Sequence, residues 1–351
     1  NSLLSNMSDW NPAEIIGAKS TILSFSLYAE LITNKIWRDQ RKNYGYKDLD
    51  PYRLMIDLAG SPYIDLRIDL NSFLPKFLKN NVQEKAINHY INLLLKNESL
   101  HDKIEFEVIP TCYSLNSKKF LKFLKNSEKK SYINELKKIT NSVVNLKNSE
   151  FENDIKKVSF LTSELENIRK SNISTIQKIF FTLNVTKKFG TLPFAGIARS
   201  AFIATVILRD LVKLKYLKFN DLEIFYSNIN TITNKFNKDL YKLKKNKIKK
   251  SYFIKNYGHL RPSTYSISSL NYKDGFKKYF SNNFKLKFSK QKKLKIGKIK
   301  NKEIDDILRK NGLKFNLKQL LKFASKSIYQ REYSKFVFTK GINELFDYIK
   351  K

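Results

Sequence analysis

Apolar residues recur at spacings of three and four along most of the chain, and this period predicts a mainly α-helical fold. One example is the run Ile22, Phe25, Tyr28, which leads into a helix that we expect to cover roughly residues 20 to 41. We expect further helices over residues 81–97, 117–147, 150–184 with a break at Ser171-Asn172, 193–217, 220–250, 303–329 and 341–350. A large helical domain is therefore the expected architecture.

Two short stretches depart from this period. Residues 63–70 alternate strictly between apolar and other side chains, which is typical of a β-strand. In a strand, Asp65, Arg67 and Asp69 would share one face. Residues 104–110 form a second candidate for extended structure, because Ile104, Phe106 and Val108 alternate with two glutamates and would share one face of a strand. The predicted fold is thus a helical domain with a short β segment near residues 60–70 and a second candidate at 104–110.

Proline and glycine punctuate the chain unevenly. Six of the seven prolines lie in islands of mixed composition, and Lys/Asn/Leu/Ile stretches with helical periodicity separate these islands. At the first island, Asn11 and Glu14 flank Pro12 in the pattern of a helix N-terminus with a capping box. We place a sub-boundary of the domain near residues 185–192 and a basic, low-complexity insertion at 276–302.

The chain carries a formal net charge of +35, from 67 Lys+Arg against 32 Asp+Glu. Such a charge favours polyanion binding, but only ten of the basic residues are arginines. The basic stretches 235–256 and 276–302 contain no arginine, although arginine is the residue most used in specific base contacts. We therefore interpret most lysines as solvated surface charge and do not expect nucleic acid as the partner, while keeping a nucleic-acid-binding helical protein as an alternative.

Several kinds of site are excluded by what the chain contains. Its one cysteine, Cys112, allows no internal disulfide, and its three histidines show no metal-ligand spacing, so we predict no metal site. No P-loop, dinucleotide-binding glycine motif, nucleophile elbow or HExxH motif is present. The longest apolar run is too short to span a bilayer, so we expect a cytoplasmic protein that does not bind a membrane.

Scarce arginine beside acids and amides is the main chemical signal. A guanidinium group binds a carboxylate or phosphate through two parallel hydrogen bonds, which lysine cannot reproduce. We expect Arg67, Arg199 and Arg261 to converge on one concave helical surface and to stabilise charge, with His259 as a fourth catalytic candidate. The candidate ligand-binding residues are Asp9, Asn11, Glu14, Arg38, Asp65, Asn71, His101, Glu105, Thr264 and Arg331.

The islands together resemble bacterial phosphoenolpyruvate synthase-like, or PEP-utilising, enzymes of the pyruvate phosphate dikinase superfamily. The resemblance rests on stretches that occur here in the family's order: SDWNPAEIIG (8–17), SLYAELIT…W…R (26–38), YGYKDL (44–49), GSPYIDLRIDLNSFLP (60–75), LHDKIEFEV (100–108), GTLPFAGIARSAFIA (190–204), YGHLRPSTYSI (257–267) and REYSKFVFTK (331–340). It covers nearly the whole chain.

The resemblance implies a role for this chain within a larger enzyme. In that family an ATP-grasp domain precedes the matching region and a swivelling domain with a phosphorylatable histidine follows it. ATP and Mg²⁺ would act there, and we expect no cofactor in this segment. The segment itself would bind the phosphoryl acceptor, which is pyruvate, a sugar or another small molecule. Asp65, Glu105 or His259 would orient the acceptor hydroxyl or take its proton.

Two features separate this chain from the family pattern. The flanking catalytic domains are absent from the sequence, so we expect no ATP turnover by this segment alone. Ser263 and Ser266 also stand where the family has glycine and aspartate, although His259 and Arg261 are retained. A non-catalytic remnant of such an enzyme is a further alternative.

Overall fold

The computed structural model describes residues 2–280 and 297–351, except the side chains of residues 298 and 299. The prediction of a mainly α fold is confirmed. The helices are α1 (Pro12–Ile16), α2 (Ile22–Tyr28), α3 (Ile36–Asn43), α4 (Leu66–Ser72), α5 (Asn80–Lys96), α6 (Asn126–Val144), α7 (Glu150–Lys170), α8 (Thr175–Thr186), α9 (Leu192–Lys213), α10 (Phe219–Ser227), α11 (Ile232–Lys244), α12 (Lys250–Tyr257), α13 (Phe276–Phe280), α14 (Lys298–Lys310) and α15 (Leu317–Ile349).

Short helical turns complete this set. Wider, π-helical turns occur at Ala29–Thr33, Ile104–Val108 and Lys187–Thr191, and 3₁₀ turns at Glu98–Leu100 and Ser117–Leu121. The first π-helical turn leads from α2 towards α3, so the helix expected over 20–41 is interrupted. The predicted break near Ser171 is present between α7 and α8.

The centre of the protein is a bundle in which α9 packs against α7 and α15. The small residues of α9 allow this close approach. A Cβ atom added at Gly196 would lie 2.0 Å from a carboxylate oxygen of Asp154 on α7 and 2.6 Å from the hydroxyl of Tyr44. Tyr44 donates a 2.8 Å hydrogen bond to that Asp154 oxygen. Gly196 is therefore required for tight packing between helices.

The predicted sub-boundary near residues 185–192 is not a linker in the structure. Helices α8 and α9 join through the π-helical turn at Lys187–Thr191 into a helical stretch from Thr175 to Lys213. This stretch is long and apolar enough to cross a membrane by length and composition, but 61% of its apolar window is buried inside the protein. The core helix of a soluble protein has the same property.

A small antiparallel sheet lies beside the helices, with strand order β1 (Leu4–Ser5), β3 (Ser61–Asp65), β2 (Met55–Leu58). Ala59 and Gly60 connect β2 to β3 with φ angles of 53° and 81°. Two consecutive residues with positive φ are characteristic of a tight hairpin turn that matches the twist of its strands. The hairpin fixes the register, in which Leu58 pairs with Ser61 and Met55 with Ile64.

The extended segment predicted near 60–70 is only half right. The strand ends at Asp65, whose carboxylate accepts hydrogen bonds from the backbone amides of Arg67 (2.9 Å) and Ile68 (3.1 Å). A side chain that caps the first amides of a helix in this way favours helix over strand. Residues 66–72 therefore form α4, and Asp65, Arg67 and Asp69 do not share one face. Asp69 is buried instead.

Other predictions also need correction. Residues 104–108 form a π-helical turn and not a strand, since the backbone N–H of Ile109 donates a 3.0 Å hydrogen bond to the carbonyl of Ile104, five residues earlier. The helix expected over 220–250 is two helices, α10 and α11, separated at residues 228–231, and α12 begins only at Lys250. The two helices expected after residue 303 have different bounds, since α15 runs without a break to Ile349. The predicted insertion at 276–302 lies largely outside the described residues.

Candidate functional site

Five charged side chains gather where the N-terminal segment, α3, α4, the π-helical turn at Ile104–Val108 and α9 meet. They are Asp9, Arg41, Asp69, Glu105 and Arg199, and together they form the charged cluster. Ionised groups are rarely buried unless they are paired. A cluster assembled from five separate segments is therefore a candidate for function.

Arg199 is central to the charged cluster. It projects from α9, is 4% exposed, and forms an ion pair with the Glu105 carboxylate. It also donates a 3.3 Å hydrogen bond to the hydroxyl of Thr111. Burial is the largest single effect and disfavours its charged form, but the charge and hydrogen bond of Glu105, together with smaller effects of Tyr46 and Cys112, raise the pKa of Arg199. Arg199 is thus held cationic, with its guanidinium group fixed between an acid and a hydroxyl.

A second guanidinium group lies close by. Arg41 at the end of α3 is 3% exposed and donates to the side-chain carbonyl of Gln40. Both arginines contact the same aromatic ring, since the Arg41 and Arg199 guanidinium carbons lie 4.6 and 5.1 Å from the centre of Phe73. Burial, followed by repulsion from Arg199, lowers the pKa of Arg41 to about 10. Arg41 remains charged at neutral pH.

Burial disfavours the charged form of a carboxylate, so it raises the pKa values of the acids in the cluster. Asp69 is fully buried and accepts a 3.0 Å hydrogen bond from the indole N–H of Trp10, and burial raises its pKa to about 6. Asp9 accepts a 3.0 Å hydrogen bond from the backbone amide of Glu105. Desolvation by the surrounding protein, together with the negative charges of Glu105 and Asp69, raises the pKa of Asp9. Asp9 nevertheless keeps solvent contact.

Several buried polar atoms of this region have no hydrogen-bond partner among the described residues. They are Nε2 of Gln40, Nε of Arg41, Oδ2 of Asp69 and Nε of Arg199. Buried polar groups are normally satisfied, and each exception in a folded protein requires an explanation. The cluster thus retains both donor and acceptor capacity beyond its internal contacts.

A cavity of about 510 Å³ adjoins the charged cluster. Glu105 and Thr111, which hold Arg199 from one side, line this cavity from the other. Much of the remaining lining is apolar and comes from Phe106, Pro110, Phe120, Val206, Val212, Phe219, Leu222 and Tyr226. The volume lies within the range of small-molecule sites in proteins, which are typically apolar with a few placed polar groups.

Polar groups are concentrated in two further parts of the cavity lining. Asp210 on α9 accepts hydrogen bonds from the Ser114 hydroxyl and, at 3.2 Å, from the Asn116 amide. Lys119 and Lys213 lie 3.7 and 3.9 Å from the Glu107 carboxylate. The cavity therefore offers an apolar wall, a carboxylate at the cluster end and ammonium groups elsewhere.

The structure brings together only some of the residues predicted from the sequence. Asp9, Glu105 and Arg199 belong to the charged cluster. Arg38 pairs with Asp50 and donates to the carbonyl of Tyr52, and Asp65 caps α4. The remaining candidates of this group have local partners or lie at the surface. Asn11 donates to Glu14, Asn71 donates to the backbone carbonyl of Arg67, and the Arg67 guanidinium lies 3.5 Å from the Asn88 side-chain oxygen. His101 contacts the backbone carbonyl of Leu94, and Arg331 is exposed.

The predicted capping box at the first helix is not formed. Asn11 precedes α1 with a left-handed backbone (φ 38°), and its side chain does not bond to the helix amides. Its amide group instead contacts the Glu14 carboxylate directly. This contact engages the Asn11 amide nitrogen and the Glu14 carboxylate with each other, while the Asn11 side-chain oxygen is buried without a hydrogen-bond partner among the described residues.

His259, Arg261 and Thr264 line a separate, smaller cavity of about 300 Å³. Nε2 of His259 lies 3.0 Å from the carbonyl oxygen of Phe336, so Nε2 must carry the proton because a carbonyl can only accept. Burial lowers the pKa of His259 to about 4. His259 is therefore neutral at pH 7.

Arg261 holds its own loop against α15. It donates to the side chain of Asn343 (2.6 Å) and to the backbone carbonyls of Ser266 and Ser269. Arg199 lies in the charged cluster, whereas Arg261 lines the cavity beside His259, and among the described residues that cavity shares no lining residue with the cavity next to the cluster. The two arginines therefore do not converge on one cavity. The guanidinium group that does join Arg199 belongs to Arg41.

Three residues of the site were absent from the predicted set. Arg41 carries the same signal as the other scarce arginines and could have been selected by it. Asp69 was placed on the face of a strand that does not form there. Asp210 had no signal in the sequence, since only the fold brings it to Ser114, 96 positions away along the chain.

Comparisons with known proteins identify no relative: no family model matches the chain, and neither the curated proteins nor the solved structures contain a match. Within the described residues, no group of three or more His, Cys, Asp and Glu side chains is arranged to hold a metal ion. The geometry of the site is therefore the main guide to function, and the family resemblance stays a prediction.

Proposed function

We propose that this chain binds the phosphoryl acceptor of a phosphoenolpyruvate synthase-like, ATP-dependent phosphotransferase, in the cavity beside the charged cluster. One observation carries the proposal. Glu105 and Thr111 contact buried Arg199 on one side and line a cavity of about 510 Å³ on the other. A carboxylate fixed in this way at the wall of an apolar cavity is positioned to bind a hydroxyl group.

The origin of the cluster residues supports the family assignment. Asp9, Asp69, Glu105 and Arg199 come from four of the stretches on which the resemblance rests, and these stretches are far apart in sequence. A simple ion pair would explain why two charged residues meet. It would not explain why the acids and arginines of several islands meet in one place. This convergence is what a shared binding site requires.

The cavity favours an acceptor larger than pyruvate. Pockets of about 300–1,000 Å³ bury most of the surface of a drug-sized ligand, and an apolar lining stabilises an apolar body by removing it from water. We therefore propose a hydroxyl-bearing molecule with an aromatic or alkyl part, whose hydroxyl group points towards Glu105.

The chemistry that we propose uses few groups. The acceptor hydroxyl donates to the Glu105 carboxylate while its oxygen attacks the phosphorus of a phosphohistidine on another domain. The P–N bond breaks, the histidine leaves, and Glu105 takes the hydroxyl proton. Arg199 positions Glu105, and the ammonium groups of Lys119 and Lys213 stabilise the charge on the transferred group. Positioning and electrostatics supply most of the effect in such transfers.

Ligand binding by the chain itself tests this proposal. A panel of pyruvate, sugars, alkyl alcohols and phenols would be screened by thermal shift, and the best ligand measured by calorimetry. We expect Val206→Trp, which fills the cavity, to abolish binding and Glu105→Gln to weaken it about tenfold or more. The matched control is Thr264→Trp, which fills the smaller His259 cavity. Loss of binding in the control but not in Val206→Trp would refute the proposed site.

A further inference from the structure

The hairpin formed by α11 and α12 carries an unusual surface. Residues 235–256 contain nine lysines, at positions 235, 238, 242, 244, 245, 247, 249, 250 and 255, and a single acid, Asp239. Asp239 is buried and accepts a 2.8 Å hydrogen bond from the Tyr257 hydroxyl. The surface of this hairpin is therefore almost purely cationic.

Another helix shows that the lysine-rich composition of this chain does not by itself produce such a surface. Helix α7 has five acids and four basic residues. Its charges are paired, for instance Lys157 with Asp154 and Lys170 with Glu166. The same lysine-rich sequence thus forms a charge-balanced helix in one place and an unbalanced one in another, so the imbalance is a local property of α11 and α12.

Aromatic side chains hold the two helices of the hairpin together. Phe236 of α11 packs against Phe253 and Tyr257 of α12, with ring centres 5.5 and 5.1 Å apart. Leu240, Phe253 and Tyr257 form their own small buried cluster. This packing directs the lysines outwards. Eight of the nine lysines are exposed, at positions 235, 238, 242, 245, 247, 249, 250 and 255.

Two aromatic side chains are exposed among these lysines. Tyr241 is 41% and Tyr252 is 46% exposed, and they are the only large hydrophobic side chains classed as exposed between residues 231 and 260, all of which the structure describes. Membrane-surface helices need a continuous apolar face for insertion, and none is present here. Lysines interspersed with tyrosines match the way in which proteins hold single strands, through phosphate contacts and stacking on bases.

Composition alone led us not to expect nucleic acid as the partner, but the local excess of exposed lysines and the two exposed tyrosines favour that alternative for this hairpin. We propose that the α11–α12 surface binds a single-stranded polynucleotide without sequence preference. The lysines contact phosphates, and Tyr241 and Tyr252 stack on bases. Because the hairpin has no arginine, it lacks the forked donor that most often reads guanine in base-specific contacts. The proposal is independent of the cavity and of the phosphotransferase assignment.

Fluorescence anisotropy with labelled oligo(U) and oligo(dT) of about 20 nucleotides tests this proposal at salt concentrations from about 50 to 200 mM. We expect Lys245→Gln/Lys249→Gln to weaken binding about tenfold and to reduce the slope of log K against log salt by about 1.4, since each phosphate contact on a single strand contributes about 0.7. Oligo(U) and oligo(dT) distinguish RNA from DNA as the preferred strand.

The matched control is Lys138→Gln/Lys170→Gln, which removes the same charge from lysines that pair with Glu135 and Glu166. It should change affinity less than threefold. Tyr241→Leu/Tyr252→Leu should weaken binding about fivefold or more through lost stacking. Equal losses in the two lysine pairs, binding of duplex as tight as of single strands, or binding of anionic phosphatidylserine vesicles without binding of the oligonucleotides would each overturn the proposal. Circular dichroism confirms that each variant is folded.

Discussion

The charged cluster and the α11–α12 surface use cationic side chains in opposite ways. In the cluster, two arginines are nearly fully buried, and they lie among three carboxylates, with Glu105 paired directly to Arg199. On the hairpin, nine lysines stand with one buried acid, and eight of them are exposed. Charges in a low-dielectric interior interact strongly, whereas exposed charges are screened by water and salt. The position of a charge therefore matters more than the number of charges in a region. Substitutions in the cluster should mainly change the free energy of unfolding, and substitutions on the hairpin should mainly change the affinity for a partner.

The largest expected effect is that of Arg199→Ala. Removal of one partner from a buried ion pair leaves the other charge uncompensated, which costs about 3–5 kcal/mol. The free energy of unfolding, measured in urea, should fall by this amount. Arg309→Ala is the matched control, because Arg309 forms an exposed pair with Asp306 and its loss should cost less than about 1 kcal/mol. Equal effects at the two positions would remove the distinction between the regions.

A double replacement sharpens this prediction. Arg199→Met with Glu105→Met removes both charges and fills similar volume with apolar atoms. Such exchanges of buried ion pairs are often neutral or stabilising. We expect the double variant to recover most of the stability lost in Arg199→Ala while ligand binding stays lost. A double variant as unstable as the single one would show that the pair itself stabilises the fold.

The next effect is a stabilisation that depends on pH. The pKa of Asp69 is raised to about 6 in the folded state, above its value in the unfolded chain, so its favourable contribution is present at low pH and is lost as pH rises through 6. Asp69→Asn should therefore stabilise the protein at neutral and alkaline pH. The gain should be about 1–2 kcal/mol larger at pH of about 8 than at pH of about 5.

Urea unfolding at the two pH values measures this difference, and Asp306→Asn on the exposed helix α14 is the control. A gain that does not change with pH would mean that Asp69 keeps an ordinary pKa. A loss of stability at both pH values would mean that its charge is required by the two arginines.

The smallest effect on stability belongs to the hairpin. Lys245→Gln/Lys249→Gln should change the free energy of unfolding by no more than about 0.5 kcal/mol, since surface substitutions rarely do more. The same variant is expected to lose oligonucleotide affinity. A large loss of stability in this variant, measured by thermal unfolding, would mean that these lysines stabilise the folded state. The contrast with the charged cluster would then be weaker.

The sequence predicted the helices well where the period was long and uninterrupted. The bounds expected for α5 and the break between α7 and α8 match the structure closely. It failed where one side chain changed the local outcome. Asp65 caps α4 and so ends a strand that the alternation of residues 63–70 extends to Leu70. Alternation describes which residues are apolar, but it does not reveal that a carboxylate will bond to the next amides.

Half of the site could be anticipated and half could not. Scarcity of arginine selected Arg199, which lies in the charged cluster, yet the same signal selected Arg261, whose donors are engaged with its own loop and with Asn343. Asp9 and Glu105 lie in unusual segments, but only the fold brings the Asp9 carboxylate to the Glu105 amide, 96 positions away. Such contacts depend on how helices pack, and no local pattern records them.

The most direct test of the proposed acceptor site is a crystal structure of the chain with the tightest ligand from the binding screen. We predict density for the ligand in the cavity lined by Phe106, Val206 and Phe219. A polar atom of the ligand should lie within about 3.2 Å of a Glu105 carboxylate oxygen. Ligand bound instead in the cavity beside His259, or on the surface with the Glu105 cavity unchanged, would contradict the account.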